Sequence, residues 1–208
     1  MPMDPVKRNI YVYKKILQRE DKESLLQQQA RAIWLTGLSG SGKSTIAASM
    51  ERALSKRNFL TQVLDGDNIR AGINNNLGFS DEDRTENIRR IAEINKLFVN
   101  CGIITINSFI SPTKNIRDMA RKIIGEDNFI EVYVNAPIEV CEQRDTKGLY
   151  KRARRGEIQN FTGIDAPFDP PENPDIELKT NIESIEESIE KTLRIILPEI
   201  TYVREDEY

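Results

Sequence analysis

Residues 37–45 read Gly-Leu-Ser-Gly-Ser-Gly-Lys-Ser-Thr and contain the pattern G-x-x-x-x-G-K-[ST]. Gly37, Gly40 and Gly42 let successive backbone N–H groups turn inward around phosphate oxygens, with Leu38, Ser39, Ser41 and Thr45 completing the run. A helix opening directly behind such a turn aims its positive end at the same point. Lys43 can reach β- and γ-phosphates as a point charge, and the Ser44 hydroxyl can sit on Mg²⁺. The expected ligand is a nucleoside triphosphate. The loop alone does not say which group accepts the phosphoryl.

A second constellation follows about twenty residues later, at Asp65-Gly66-Asp67. Two carboxylates beside a γ-phosphate can divide the work. One organises Mg²⁺ directly or through water, and the other accepts a hydroxyl proton. On the helix expected after Ser80, residues 84, 87, 91, 94 and 98 form one stripe at 3–4 spacing. Ile91, Ile94 and Phe98 are apolar, but Arg84 and Asn87 share their inward face. A buried arginine without a partner is costly, so Arg84 either pairs with a protein carboxylate or meets an anionic ligand. Arg70 is open in the same two ways. Residues 144–156 concentrate six cations, among them Arg144 and Lys147. They form either a solvated helix face or a lid that brings positive charge onto a transferring phosphoryl and excludes water.

These residues need a scaffold that gathers them at one edge. Apolar runs at 32–36, 61–64, 103–109 and 129–134 read as buried strands, with a further short strand at 176–178. Helical patterns alternate with them: 43–57, about 80–100, 114–124, one with Pro137 at its first position, and a last helix from Ser184. That helix carries Ile185, Ile189, Leu193 and Ile196 on one face. Alternating strands and helices indicate an α/β fold with a doubly wound, mainly parallel sheet covered on both faces. Ligands in such sheets bind at the carboxyl ends of the strands. The phosphate loop, the Asp pair and residues 108–112 all fall there. Residues 1–30 read as a polar N-terminal arm, 31–203 as the catalytic domain and 204–208 as a frayed acidic tail.

The composition narrows the chemistry. Among 208 residues there is no histidine, which excludes histidine acid–base catalysis, histidine metal ligation and the Ser-His-Asp and Cys-His nucleophiles. A net charge of −3 argues against nucleic acid as a partner. No apolar run approaches the ~20 residues that span a bilayer. Cys101 and Cys141 fit neither a disulfide framework nor a metal site and read as buried thiols, so a reducing cytoplasm is the expected compartment. No Asn-Lys-x-Asp segment is present for reading guanine. A small-molecule kinase fits the length.

In this setting the segments TGLSGSGKST (36–45), LDGDNIRAGINNNLGFSDEDRTENIRRIAEINKLF (64–98), FISP (109–112) and CEQRDTKGLYKRARRGEIQNFTGIDAPFDPPENP (141–174) together resemble the adenylylsulfate kinase family. The resemblance implies the P-loop three-layer sandwich. It also implies phosphorylation of the ribose 3′-hydroxyl of adenylylsulfate by ATP with Mg²⁺, a step of sulfate assimilation. Carried over position by position, Arg70, Arg84 and Asn87 would hold adenylylsulfate, and Lys147 would contact it from the lid. Phe79 and Phe161 would stack on its adenine. Asp65 and Asp67 would manage Mg²⁺ and the 3′-hydroxyl, with Ser44 on the metal. Ile110 and Ser111 would belong to the substrate loop, where Ser111 is also a conceivable phosphate acceptor. Family members are often homodimers, and a sulfurylase partner is left open. The chain departs from the family's common pattern at Val12-Tyr13 and Ala71, where relatives carry histidine, and at Thr113 and Ile116. The rival readings are a kinase of a nucleoside monophosphate or sugar, and a nucleotide-binding regulator without turnover.

Overall fold

The computed structural model describes residues 15–203. Val12, Tyr13 and the acidic tail lie outside them. Five strands form one sheet, β1 (Ala32–Thr36), β2 (Thr61–Asp65), β3 (Ile104–Ser108), β4 (Phe129–Asn135) and β5 (Ile176–Lys179). Their order is β2-β3-β1-β4-β5, and every pairing is parallel. The edges of a sheet are where the strands carry mixed exposure, and β2 and β5 do so here, while β1 and β3 are buried throughout.

Strand side chains alternate between faces, and this alternation divides the core. Ile33 and Leu35 of β1 point to one layer. There they pack with Ile46, Ala47 and Met50 of α2 (Lys43–Ser55) and with Ile189, Leu193 and Ile196 of α8 (Ile185–Ile200). Ala32 and Trp34 point to the other layer, toward Ile88 and Ile91 of α4 (Asp81–Asn100) and Ile116 and Ala120 of α5 (Lys114–Ile124). Trp34 is fully buried and stacks on Phe129 at 5.4 Å between ring centroids. A third cluster joins α6 (Ile138–Arg144) to α7 (Leu149–Arg154) through Cys141, Tyr150, Ala153 and Phe161.

Local signals set the helix ends. Ser80 Oγ accepts from the Asp83 N–H at the start of α4, and Ser184 with Glu187 forms a full capping box at α8. Gly66–Ala71 is a short helix, α3, N-capped by the Asp65 carboxylate on the Asp67 N–H at 3.1 Å. Three expectations shift. Pro137 is the N-cap of α6 rather than its first residue. Cys101 is exposed because it ends α4, where the chain turns out at Gly102; Cys141 is buried. Ile185 departs from its stripe: it is 43% exposed, and its side chain lines the cavity described below instead of the core.

Within residues 15–30, α1 (Arg19–Leu26) is docked onto the sheet's rim. The buried Glu23 carboxylate accepts from the Ala30 N–H at 2.6 Å and from Arg19 Nε at 2.8 Å. Arg19 also donates to Asn128 Oδ1 at 2.7 Å, in the turn before β4. Gln28 is fully buried, bridging Leu60 and Gly102 through their carbonyls.

Candidate active site

The parallel register aligns the strand ends. Asp65 of β2 stands opposite Ser108 of β3, and Leu35, one residue before the end of β1, pairs with the same Ser108. Everything that follows these strands therefore faces one cavity of about 930 Å³.

The phosphate loop leaves β1 at Thr36. Gly37 has φ +150°, and a Cβ on it would sit 2.4 Å from the Val134 carbonyl oxygen. Gly40 has φ +76°, and a Cβ on it would sit 2.9 Å from the Cys141 carbonyl oxygen. Side chains are excluded at both points by backbone that cannot move, so the loop's curvature depends on glycine there. Lys43 Nζ is buried inside the turn and donates to the carbonyls of Gly37 (2.9 Å) and Leu38 (2.7 Å). Burial lowers its pKa to about 8, against the opposing attraction of Asp65 and Asp67.

Ser44 Oγ donates to Asp65 Oδ2 at 2.7 Å and lies 3.3 Å from Ser108 Oγ. These are hard oxygen donors at the base of the phosphate loop. Among the described residues no cluster of three His, Cys, Asp or Glu exists. One carboxylate and one hydroxyl suit Mg²⁺, which keeps several waters and takes its remaining ligands from phosphates. Two residues on, Asp67 is exposed and paired with Lys147 Nζ, reaching across from the segment between α6 and α7.

The far half of the cavity collects the inward face of α4. Arg84 donates to the Phe79 carbonyl (3.1 Å), the Asn160 carbonyl (2.6 Å) and Thr162 Oγ1 (3.3 Å). Arg70 donates to the Gly78 carbonyl at 2.8 Å, and its guanidinium sits 4.5 Å over the Phe79 ring. Neither arginine has a carboxylate within ion-pair distance among the described residues. Burial holds both below their ordinary pKa, and for Arg70 the neighbouring Arg84 adds to the effect. Two like charges brought together this way complement an anion. Phe79 is 60% exposed at the cavity's mouth, whereas Phe161 is buried and meets Tyr150 edge-on at 4.9 Å.

Ser111 sits with φ +38° and is 2% exposed. Its hydroxyl accepts from Trp34 Nε1 (3.1 Å) and donates to Thr36 Oγ1 (3.0 Å). Thr36 Oγ1 in turn lies 2.7 Å from the Ile110 carbonyl. The Ser111 carbonyl accepts from Arg117, which is ion-paired in the core with Glu131 at 2.9 Å. The Ser111 hydroxyl thus braces the loop rather than standing free as a phosphate acceptor.

Several cavity residues escape the sequence patterns. Arg144 does not join the outer cationic face: it donates to Thr180 Oγ1 (3.2 Å) and to the Gly40 carbonyl (3.3 Å). Tyr150 OH donates to the Ser39 carbonyl at 2.9 Å, which ties α7 to the phosphate loop. Asn74 bonds Asn87 from behind. The one available signal was the Lys-Gly-Leu-Tyr segment, and it marks Tyr150 without saying what its hydroxyl touches.

A glycine-lined phosphate loop at the head of a parallel β2-β3-β1-β4-β5 sheet, with a carboxylate pair beside it and a cationic segment opposite, defines a P-loop kinase. Comparison with known proteins narrows this class. Residues 29–179 match the family model for adenylylsulphate kinase, and the chain belongs to that family. An adenylyl-sulfate kinase of Bacteroides thetaiotaomicron is 60% identical over 195 residues, 93% of this chain and 97% of that protein. One from Phocaeicola vulgatus is 61% identical over 191 residues, 91% and 94% of the two chains. The solved structure of Mycobacterium tuberculosis APS kinase in complex with AMPPNP and APS is 43% identical. It superposes with a TM-score of 0.78, over 81% of this chain and 98% of that one.

Proposed function

We propose that the chain transfers the γ-phosphoryl group of ATP to the ribose 3′-hydroxyl of adenylylsulfate, giving ADP and 3′-phosphoadenylylsulfate. One observation carries the assignment of roles. A single cavity has a phosphate loop on one wall, two arginines without carboxylate partners and two phenylalanines on the other, and the Asp65–Asp67 pair between them.

The loop N–H groups hold the triphosphate, and Lys43 exchanges its two loop carbonyls for β- and γ-oxygens. Ser44 and Asp65 would hold Mg²⁺, which when bound would supply positive charge that offsets the charge on the phosphate oxygens. Arg70, Arg84 and Asn87 bind the anionic acceptor, while Phe79 and Phe161 face its adenine, since stacking suits a flat base. The backbone around Ile110 and Ser111, fixed by Trp34, Thr36 and Arg117, forms the floor.

Transfer is an in-line displacement. The 3′-oxygen bonds to the γ-phosphorus, the bond from that phosphorus to the β,γ-bridging oxygen breaks, and the electron pair leaves with ADP. The 3′-hydroxyl proton passes to the Asp67 carboxylate. Lys147, paired with Asp67 in the structure, moves its charge to the transferring group and thereby releases the base. Catalysis is positioning and charge stabilisation, with no covalent enzyme intermediate.

The experiment is incubation with ATP, Mg²⁺ and adenylylsulfate. The 3′-phosphorylated product is expected, and no product above a Lys43→Ala control refutes the proposal. A panel of nucleoside monophosphates and sugars tests the rival acceptors. A homodimer is the proposed assembly, read by light scattering. A cytoplasmic location agrees with two unpaired cysteines. Among the described residues no helix is long and apolar enough to cross a membrane.

A further inference from the structure

We propose that Asn74 is a positioning residue that turns Asn87 into an obligate hydrogen-bond donor toward the acceptor nucleotide, an inference that rests on the kinase reading above. An asparagine amide shows an oxygen at one end and an NH₂ at the other, and the two recognise opposite partners. Which end Asn87 presents to the cavity decides what it can select.

Asn74 is fully buried in the turn after α3. Its Oδ1 faces Arg90 Nη1 at 3.4 Å, and a guanidinium can only donate. Its Nδ2 faces the backbone carbonyl of Asn87 at 3.4 Å, and a carbonyl can only accept. Two groups of fixed polarity on opposite sides leave Asn74 one orientation. In that orientation its Nδ2 also donates to Asn87 Oδ1 at 2.9 Å. Asn87 Oδ1 is therefore turned inward, and its Nδ2 is directed to the other side.

Asn87 is 6% exposed and lines the cavity. Its Nδ2 has no hydrogen-bond partner among the described residues, yet it is not one of the orphaned polar atoms sealed from solvent. Arg90 is itself held in place, by Glu86 at 2.8 Å and by Asn76 Oδ1 at 2.9 Å. With Arg90 anchored on Glu86, the relay from Arg90 through Asn74 to Asn87 runs with one polarity, each residue donating to the next, and ends on two N–H bonds offered to the ligand. Asn87 thus selects an acceptor atom on the nucleotide (a ring nitrogen or an oxygen) and disfavours a donor at that point.

Asn74→Asp reverses the relay. A carboxylate only accepts and still satisfies Arg90, so Asn87 must rotate to donate to it and then shows Oδ1 to the cavity. The expected result is a rise of about tenfold or more in KM for adenylylsulfate, the size of one lost hydrogen bond. KM for ATP should stay within about twofold, because no phosphate-loop contact is touched. In an Asn87→Ala background the same change should move KM for adenylylsulfate by less than about twofold, since the group it reorients is gone. Asn74→Leu, of similar size with no polar end, is the second variant: it frees Asn87 to turn and should raise the same KM about threefold or more.

The proposal is overturned by a KM for adenylylsulfate within about twofold of wild type in both variants. An undiminished effect of Asn74→Asp in the Asn87→Ala background, or an equal rise in KM for ATP, overturns it as well. Wild-type turnover of adenylylsulfate is read in the same assay, so failure of the kinase reading is distinguished from failure of this one.

Discussion

Replacing Asp67 by asparagine separates the chemistry from the fold. The Asp67 side chain is 70% exposed, and its ion-pair partner Lys147 is 56% exposed. A pair of this kind contributes about 0–1 kcal/mol to stability. At about 2–4 °C per kcal/mol for a chain of this size, Asp67→Asn should lower Tm by no more than about 4 °C. The N-cap of α3 is untouched, because it uses the Asp65 carboxylate and the backbone N–H of residue 67. The phosphate loop is untouched as well, since Lys43 and Ser44 bond to Gly37, Leu38 and Asp65. Affinity for ATP should therefore change by less than about threefold. An amide cannot take the 3′-hydroxyl proton, and a positioned base is worth about 10²–10⁴ in rate. That corresponds to about 2.7–5.5 kcal/mol on the barrier. The assay is ADP release at saturating ATP and adenylylsulfate, with ATP binding by calorimetry and unfolding by thermal melt on the same preparations. A kcat within about threefold of wild type, with normal ATP binding, removes Asp67 from the proton path. A lost kcat accompanied by a stability loss above about 3 kcal/mol refutes the claim that its role is chemical, since an exposed pair cannot account for that loss.

Glu131→Gln should cost about 3–5 kcal/mol in urea denaturation, because it leaves Arg117, 4% exposed, as an unpaired buried charge; a loss below about 1 kcal/mol contradicts this. Lys43 binds its proton less tightly folded, at about 8, than unfolded, at about 10.5, so between those pH values the unfolded chain holds more protons and stability of the free protein rises with pH. Triphosphate beside Lys43 reverses the shift, so ATP binding at pH 8.5 should take up about 0.7 proton and weaken as pH rises further. Calorimetry in two buffers of different ionisation enthalpy reads this uptake; Lys43→Arg should show none, and zero uptake by wild type refutes the assignment. Tyr150→Phe removes the bond to the Ser39 carbonyl while keeping the ring on Phe161, and should raise KM for ATP about three- to tenfold with kcat within about twofold. An unchanged KM for ATP means that α7 does not steady the phosphate loop.

The elements that could be read directly from the chain are those whose causes are local. A glycine pattern before a helix, a serine whose hydroxyl accepts from the N–H three residues on, and apolar runs of strand length act between sequence neighbours, so Gly37–Thr45, Ser80, Ser184 and β1 to β5 stand close to where their residues place them. The inward turn of Arg84 and Asn87 was legible for the same reason, because helical periodicity alone puts them on the face of Ile91. What joins distant segments was not legible. Nothing near Tyr150 in sequence indicates that its hydroxyl meets Ser39, 111 residues away, and nothing near Asn74 indicates Asn87. Arg144 and Ser111 have sequence neighbours that suggest a cationic face and an acceptor hydroxyl, but tertiary bonds commit both to bracing loops. Cys101 sits among apolar neighbours, yet the end of α4 turns it outward. The chain by itself determined the chemistry available: a triphosphate cradle, two carboxylates, inward arginines and no histidine. Strand order and register decided that these meet in one cavity, because contacts between strand ends depend on how the sheet is assembled and not on the spacing of residues along the chain.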